Sequence, residues 1–186
     1  MTVLHPDVAE VVLTEDDIQT TVLHLGKRIA DDYHGRTPLL VGILRGAFMF
    51  MADLCRAIEA PVELDFMAVS SYGSSTRSSG IVRFLKDLDT DIAGRDVILV
   101  EDIVDSGLTL SYLSRALAGR NPASLEVAAL ITKPAKQRVP LEIRYHGFAI
   151  DPPFVIGYGL DYQQKYRNLP YVGTLAPHIL GGREPQ

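Results

Sequence analysis

The segment VILVEDIVDSGLTL, residues 97–110, decides the predicted fold class. Its first four residues are all apolar and three of them are β-branched, which favours a buried β-strand. Glu101 and Asp102 follow at the predicted end of this strand, and a helix is predicted to begin near Leu108. A buried strand that leads into a helix through acidic and small polar residues is typical of the ligand-binding edge of an open α/β sheet.

The rest of the chain supplies the helices and strands that such a sheet needs. Thr14 and Asp17 form a potential capping box, after which apolar residues recur at helical spacing until Gly35. A second helix is predicted between the turn Arg45-Gly46 and residue 58. Apolar or alternating runs predict strands at 39–44, 62–69, 81–86, 125–131, 143–150 and 154–158. We therefore predict an α/β fold with a central, mainly parallel sheet flanked by helices.

Length and composition narrow the class of protein. The 186 residues are 47% hydrophobic and 22% charged, which is ordinary globular usage, and we expect a single domain over residues 1–186. The net charge of −5 argues against binding to nucleic acid through its phosphates. Cys55 is the only cysteine, so an internal disulfide is excluded, and its apolar neighbours predict a core position. The N-terminus lacks the basic and apolar regions of a secretion signal, so we expect a cytoplasmic protein that does not bind membranes.

The polar residues of the 97–110 segment suggest a ligand. A helix N-terminus presents free backbone N–H groups, and the hydroxyls of Ser106 and Thr109 add donors for a phosphate, which Gly107 lets approach closely. Glu101 and Asp102, just before this anion site, suit vicinal hydroxyls or a metal ion. Together they suggest a ribose phosphate, although each residue alone could be a helix cap or a solvated acid.

These residues match the phosphoribosyl pyrophosphate signature, and the chain resembles the type I phosphoribosyltransferases, in particular their bacterial hypoxanthine-guanine branch. Four further segments resemble motifs of the family, in the family's order. They are Leu44-Arg45-Gly46 (pyrophosphate loop), Ser71-Tyr72-Gly73 (flexible loop), LITKP around Lys133 (purine-contacting strand) and the C-terminal block 154–173. The resemblance implies the fold of that family, with a small cap subdomain built from the chain ends.

The resemblance also assigns roles within the 97–110 segment. It implies that Glu101 and Asp102 hold the ribose hydroxyls. The 5′-phosphate is expected to lie against five consecutive residues, Asp105, Ser106, Gly107, Leu108 and Thr109. Asp105 is further expected to be the catalytic residue, as general base or acid at purine N7.

Purine recognition is expected from residues that follow. Lys133 would donate a hydrogen bond to the 6-oxo group, which selects hypoxanthine or guanine over adenine, because a 6-amino group would meet a like donor. Phe154 would stack on the purine, and the backbone of Val155 would bind its edge.

The pyrophosphate end of the site is expected to combine three parts of the chain. Leu44, Arg45, Gly46 and Arg167 would bind pyrophosphate. Ser71 and Tyr72 would belong to a Ser- and Gly-rich loop, residues 70–80, that closes over the reacting atoms. The expected cofactor is Mg²⁺, held by Asp161, with Glu101 and Asp102 as further ligands.

The implied activity is a step of purine salvage. The phosphoribosyl group of phosphoribosyl pyrophosphate would be transferred to N9 of hypoxanthine or guanine, giving IMP or GMP and pyrophosphate. A homo-oligomer, dimer or tetramer, is expected. Three alternatives stand beside this hypothesis: a xanthine-preferring enzyme, an RNA-binding regulator of the same fold, and a receiver domain, whose first acidic pocket resembles ILVED. In a receiver domain that motif opens the chain, whereas 96 residues precede Val97 here.

Overall fold

The computed structural model of the chain describes residues 4–71, 82–151 and 154–179. Three α-helices and a 3-10 turn connect the strands within these ranges. The helices are α1 (Glu15–Asp32), α2 (Phe48–Ala57) and α3 (Leu108–Ala118), and the 3-10 turn is Pro134–Lys136. The strands are β1 (Val8–Leu13), β2 (Leu39–Leu44), β3 (Glu63–Ser71), β4 (Val82–Lys86), β5 (Asp96–Val104), β6 (Ser124–Thr132), β7 (Tyr145–Ala149) and β8 (Val172–Leu175).

The strands form two sheets. The larger sheet has six strands in the order β4-β3-β2-β5-β6-β7. All its neighbouring strands run parallel except β4, which is antiparallel to β3 at one edge. The second sheet pairs β1 with β8 in antiparallel orientation, so segments near the two chain ends meet. This mainly parallel sheet with flanking helices confirms the predicted fold class.

The central strands are apolar throughout because both faces of the large sheet are covered. Leu40 and Ile98 belong to the core cluster that packs against α1 and α2. Their neighbours along the chain, Leu39 and Leu99, point the other way, into the cluster that includes the buried face of α3. In a strand that is buried on both faces, successive side chains all point into apolar surroundings, which explains the continuous apolar runs.

Helix α1 begins as its sequence predicts. The Thr14 hydroxyl accepts from the Asp17 amide at 3.1 Å, and an Asp17 carboxylate oxygen accepts from the Thr14 amide at 3.0 Å, which completes a capping box. The helix ends at Asp32, three residues before Gly35, which takes φ +73° in the following turn. Gly26 lets α2 approach α1, because a Cβ there would lie 2.5 Å from the carbonyl oxygen of Ala57.

Several strand predictions need correction. Strand β5 continues to Val104, so Glu101 and Asp102 lie within its last residues and not beyond its end. The predicted strand at 154–158 is wrong: the chain makes only single bridges there, from Ile156 to Gly173 and from Gly157 to Leu160. The sequence analysis also missed β1 and β8. Of the predicted loop 70–80, residues 72–80 lie outside the described residues.

No helix in the described part of the chain is long and apolar enough to cross a membrane.

A buried carboxylate fixes the outer edge of the large sheet. Asp65 on β3 is only 6% exposed, and its oxygens accept from the amides of Phe66 at 2.7 Å, Asp89 at 3.0 Å and Thr90 at 2.9 Å. Lys86 on β4 lies 3.6 Å away. Burial opposes the charge, but the Thr90 and Phe66 amides and Lys86 outweigh it and lower the pKa of Asp65. The charged form of Asp65 therefore ties the turn after β4 to β3.

We expect Asp65→Asn to lower the free energy of unfolding by about 2–3 kcal/mol, since backbone donors lose a charged acceptor while they stay partly buried. Urea denaturation at pH 7 measures the change. Asp91→Asn is the matched control, because Asp91 is exposed and accepts only the Ala93 amide, at 3.0 Å, among the described contacts. Equal losses for the two variants would contradict the role given to Asp65.

Candidate active site

A cleft of about 480 Å³ opens at the carboxyl ends of β2, β5 and β6. Parallel strands bring the residues that follow them to one edge of a sheet, so distant segments converge here. Most of the predicted site residues line the cleft: Leu44, Gly46, Glu101, Asp102, Asp105, Thr109, Lys133, Phe154, Val155, Asp161 and Arg167. Arg45, Ser106, Gly107 and Leu108 adjoin these residues in the chain. Tyr72 lies outside the described residues, as does the side chain of Ser71.

The turn between β5 and α3 presents backbone donors to the cleft. Gly107 is the N-cap residue of α3, with φ +74°, a conformation that favours glycine, and it has no side chain that could cap the helix. The Ser106 hydroxyl accepts a long hydrogen bond, 3.4 Å, from the Leu108 amide. A helix N-terminus with a glycine cap beside the hydroxyls of Ser106 and Thr109 is suited to bind an anion such as a phosphate.

Two adjacent carboxylates are buried at the end of β5. Glu101 Oε2 is buried and has no hydrogen-bond partner among the described residues. Burial, together with the charge of Asp102, raises the pKa of Glu101 well above its usual value. Burial also raises the pKa of Asp102 to about 6, against the opposing effect of the Ile103 amide, which donates to Asp102 Oδ1 at 2.9 Å. Glu101 Oε2 thus lacks the partner that buried acid oxygens normally have, so a ligand with hydroxyl donors or a cation would supply one.

Gly46 lets the loop after β2 pack directly on one of these acids. A Cβ on Gly46 would lie 1.9 Å from Asp102 Oδ2, so this position admits only glycine in the present backbone. The Leu44–Arg45 peptide bond before it is cis. The Arg45 guanidinium turns toward the C-terminal block and donates to Gln164 Oε1 at 2.9 Å.

Arg167 brings a second guanidinium to the same side of the cleft. Its Nη1 donates to the carbonyl oxygen of Gly159 at 2.6 Å, and its Nη2 pairs with Asp161 Oδ1 at 2.6 Å. The Arg167 side chain is 20% exposed and that of Asp161 25% exposed, so the pair faces the cleft while the backbone holds it. The loop 44–46 and this pair thus form two walls of one charged end of the cleft.

A buried lysine, Lys133, also lines the cleft. Lys133 is 5% exposed, and its Nζ lies 3.7 Å from Asp105 Oδ1. Burial lowers the pKa of Lys133, and the neighbouring Asp105 carboxylate opposes that shift. Lys136 approaches the other oxygen of Asp105 at 3.8 Å. Asp105 itself is half exposed, so it is accessible to a ligand in the cleft.

Phe154 and Val155 add apolar residues to the cleft lining. Val155 is 5% exposed, whereas Phe154 is partly exposed and meets the ring of Tyr162 edge-on, with ring centroids 5.8 Å apart. In a T-shaped pair each ring keeps at least one face that its partner does not cover, which in Phe154 can stack on a planar ligand.

The sequence analysis missed some residues of the site. Lys136 lines the cleft, and its signal was present in the motif Lys133-Pro-Ala-Lys136, where a short turn brings both lysines to one carboxylate. Leu160 also lines the cleft, and Gln164 accepts from both Arg45 and Arg167, at 2.9 and 3.4 Å. No pattern in the sequence indicates the Gln164 contacts, because they depend on how the C-terminal block folds back.

Comparisons with known proteins agree with this geometry. The sequence profile of the phosphoribosyl transferase domain matches residues 14–163. A hypoxanthine-guanine phosphoribosyltransferase of Mycobacterium tuberculosis is 54% identical over 183 residues, which cover 95% of this chain and 91% of that protein. The Bacillus subtilis protein of the same name is 46% identical, over 93% of this chain and 96% of its own length.

Solved structures show the same similarity. A hypoxanthine phosphoribosyltransferase of Staphylococcus aureus superposes with a TM-score of 0.91 at 45% identity, over 94% of this chain and 95% of that one. The Trypanosoma cruzi hypoxanthine phosphoribosyl transferase reaches 0.91 at 41% identity, over 97% and 98% of the two chains. Fold, site and sequence agree: this chain belongs to the phosphoribosyltransferase family, in the branch of the hypoxanthine-guanine phosphoribosyltransferases.

Proposed function

We propose that this enzyme transfers the phosphoribosyl group of phosphoribosyl pyrophosphate to N9 of hypoxanthine or guanine, which yields IMP or GMP in purine salvage. One observation carries the proposal: the cleft joins a helix N-terminus flanked by two hydroxyls, a buried carboxylate oxygen without a partner among the described residues, and a buried lysine. These groups match the phosphate, the ribose hydroxyls and the 6-oxo group of one nucleotide. The names of the relatives support the same activity.

The 5′-phosphate would lie at the N-terminus of α3. There the backbone N–H groups of residues 105–109 and the hydroxyls of Ser106 and Thr109 surround an anion, and the helix dipole favours its charge. The ribose hydroxyls would then donate to Glu101 and Asp102. In this complex Glu101 Oε2 gains the partner that it lacks in the free protein.

The purine would lie between Phe154 and the lysine end of the cleft. Lys133 donates to the 6-oxo group, and a 6-amino group at the same place would present a second donor without an acceptor. Phe154 stacks on the ring, and the backbone of Val155 binds its edge. The 6-oxo group is common to hypoxanthine, guanine and xanthine, so its contact with Lys133 does not distinguish them. An enzyme that prefers xanthine is therefore the alternative, and an activity assay with each purine tests it.

Asp105 would serve as the general base. The bond from ribose C1 to the pyrophosphate oxygen breaks, the bond from C1 to N9 forms, and the proton on N7 passes to the Asp105 carboxylate. The breaking bond leaves positive charge on the ribose, which the carboxylates of the site and the departing pyrophosphate stabilise. Lys133 and Lys136, at 3.7 and 3.8 Å, hold the Asp105 side chain in place.

Pyrophosphate would bind at the charged end of the cleft, between the loop Leu44-Arg45-Gly46 and Arg167. The two guanidinium groups offer donors in the geometry that phosphate oxygens accept. The closure of Ser71 and Tyr72 over this end stays a prediction from the sequence.

The donor set of the cleft fits Mg²⁺ only together with a substrate. The described residues contain no group of three His, Cys, Asp or Glu side chains that could hold a metal ion. Mg²⁺ commonly takes one or two carboxylates and completes its shell with substrate oxygens and water, and Asp161, Glu101 and Asp102 offer such carboxylates. When bound, the ion would neutralise the pyrophosphate charge.

The residues that line the cleft come from both sheets' surroundings, which bears on the number of domains. We infer that the two sheets work as one domain, since residues of the block 154–169, which packs beside β8, complete a cleft at the edge of the large sheet. A homo-oligomer, a cytoplasmic location and the absence of nucleic acid binding stay predictions. An RNA titration at two salt concentrations would separate the regulatory alternative from the enzyme.

The decisive experiment incubates the protein with phosphoribosyl pyrophosphate, Mg²⁺ and each of hypoxanthine, guanine, xanthine and adenine, and measures nucleotide formation. We expect turnover of hypoxanthine and guanine, far less with adenine, and loss of activity in EDTA that added Mg²⁺ restores. If no purine is converted, the proposed activity is wrong; if xanthine is converted fastest, the xanthine alternative replaces it.

Asp105→Asn should lower kcat by about 10²–10⁴-fold, because the amide cannot accept the N7 proton. Binding of phosphoribosyl pyrophosphate, measured by calorimetry, should change by only severalfold, since the backbone of the phosphate turn is intact. Asp151→Asn, at an exposed position outside the cleft lining, is the control. Unchanged kcat would remove Asp105 from the role of general base.

Lys133→Ala should raise KM for hypoxanthine and guanine at least tenfold more than KM for phosphoribosyl pyrophosphate, because of the two substrates Lys133 would contact only the base. Steady-state kinetics with each substrate varied in turn measure both constants. Lys136→Ala is the control at the neighbouring lysine, which approaches Asp105 but is not assigned to the base. Equal effects of Lys133→Ala on both substrates would make Lys133 structural.

Glu101→Gln should make the free protein more stable at pH 7.5 by about 1–3 kcal/mol, although it weakens binding of phosphoribosyl pyrophosphate. The folded state raises the pKa of both acids, so it retains their protons where the unfolded chain loses them. In the unfolded chain both acids have pKa values near 4, whereas in the folded protein the pKa of Asp102 is about 6. The free energy of unfolding therefore falls as the pH rises from about 4 through the folded pKa values.

Thermal melts between pH 4 and 8 measure this slope, which should be smaller in Glu101→Gln. Glu126→Gln is the control, because Glu126 is only partly buried and pairs with Arg144 at 3.3 Å. If Glu101→Gln has the same melting temperature as the unmodified protein at every pH, the Glu101 carboxylate does not destabilise the fold.

A further inference from the structure

A partly buried hydrogen bond links the two walls of the charged end of the cleft. Tyr158 Oη donates to Asp53 Oδ2 at 2.6 Å. Tyr158 is 8% exposed and stands in the C-terminal block, whereas Asp53 belongs to α2, the helix that begins directly after the loop 44–46. The bond therefore joins the C-terminal block, which contains Arg167, to α2, the helix that follows the loop 44–46.

The backbones of these two walls touch at the next residue. A Cβ on Gly159 would lie 2.2 Å from the carbonyl oxygen of Gly46, so the two glycines are in direct contact. Gly159 also holds Arg167: its amide donates to the Arg167 carbonyl at 2.9 Å, and its own carbonyl accepts from Arg167 Nη1 at 2.6 Å. A shift of Gly159 relative to Gly46 would therefore move the Arg167 guanidinium relative to the loop.

The backbone of Tyr158 has an unfavourable conformation that its surroundings must stabilise. Its φ is +48°, a left-handed conformation that non-glycine residues rarely adopt, and Gly159 follows at φ +97°. The Asp53 carboxylate supplies that support from α2, and Arg56 pairs with its other oxygen. Burial and the bond to Asp53 raise the pKa of Tyr158, so the phenol keeps the proton that it donates. Non-glycine residues in this conformation occur where neighbouring contacts stabilise them, and they are often found at functional sites.

We propose that Tyr158 and Asp53 are positioning residues for pyrophosphate: their hydrogen bond sets the distance between Arg167 and the loop Leu44-Arg45-Gly46. This proposal rests on the proposed function, since it assumes that pyrophosphate binds between those two walls. Neither residue lines the cleft, so both act through Gly159 and α2. At the purine end, Lys133 follows β6 and belongs to another segment, so binding of the purine should respond less.

The test uses Tyr158→Phe, Asp53→Asn and the double variant in the full chain. We expect each single variant to lower kcat/KM for phosphoribosyl pyrophosphate about 10–100-fold, with KM for hypoxanthine changed less than twofold. The double variant should be no worse than the more affected single variant, because both remove the same bond. Arg56→Ala should have little effect, which separates the Tyr158 bond from the ion pair of Asp53.

Tyr145→Phe is the matched control. Tyr145 Oη donates to Asp32 Oδ2 at 2.8 Å, so this variant removes a second partly buried tyrosine–aspartate bond, between β7 and α1, away from the cleft lining. It should lower the melting temperature about as much as Tyr158→Phe and leave both KM values unchanged. If Tyr158→Phe also lowers only the melting temperature, the pair is merely structural and the proposal is wrong.

Pyrophosphate binding separates this proposal from the proposed function. Calorimetry with Mg²⁺ and pyrophosphate needs no turnover, and Tyr158→Phe should weaken this binding about tenfold or more against the unmodified protein. Equal binding by the two proteins would overturn the positioning role even if transfer is observed. Failure of the unmodified protein to convert any purine, with the binding difference present, would overturn the proposed activity and leave the positioning role standing.

Discussion

Two acids buried side by side impose the constraint on which this site depends. Glu101 and Asp102 lie at the end of a strand whose preceding residues are apolar on both faces, so neither carboxylate is well hydrated. Their raised pKa values express the resulting cost of charge. The loop after β2 leaves no room to relieve it, because Gly46 packs directly on Asp102. The free protein thus retains an electrostatic cost that a hydroxyl-rich or cationic ligand would offset.

The order of the strands explains why the other groups meet these acids. Strand β5 lies between β2 and β6, and all three run parallel, so their carboxyl ends share one edge of the sheet. The loop 44–46 follows β2, the turn 105–109 follows β5, and Lys133 follows β6. One sheet edge therefore offers donors for phosphates, acids for hydroxyls and a buried cation for a base.

The C-terminal block completes the cleft by a different kind of structure. Between Phe154 and Leu169 the chain forms turns with several left-handed residues, among them Tyr158, Gln164 and Tyr166. Such backbone needs outside support, which Asp53 gives to Tyr158 and Asp7 gives to Tyr166 through a hydrogen bond at 2.8 Å. A segment held in this way places Asp161 and Arg167 without a regular strand or helix beneath them.

Local patterns in the sequence determined much of this protein. The apolar run 39–44 matches β2, the Thr14–Asp17 pair caps α1, and the segment 97–110 gives a strand, a turn and a helix, because each depends on neighbours within a few residues. Only the tertiary structure decided the pairing of β1 with β8, the turns in place of a strand at 154–158, and the contacts of Tyr158 and Gln164. The pairing of β1 with β8 and the bonds Tyr158–Asp53 and Arg45–Gln164 join residues more than 100 positions apart, and the stability of all these features comes from packing and hydrogen bonds that no local propensity encodes.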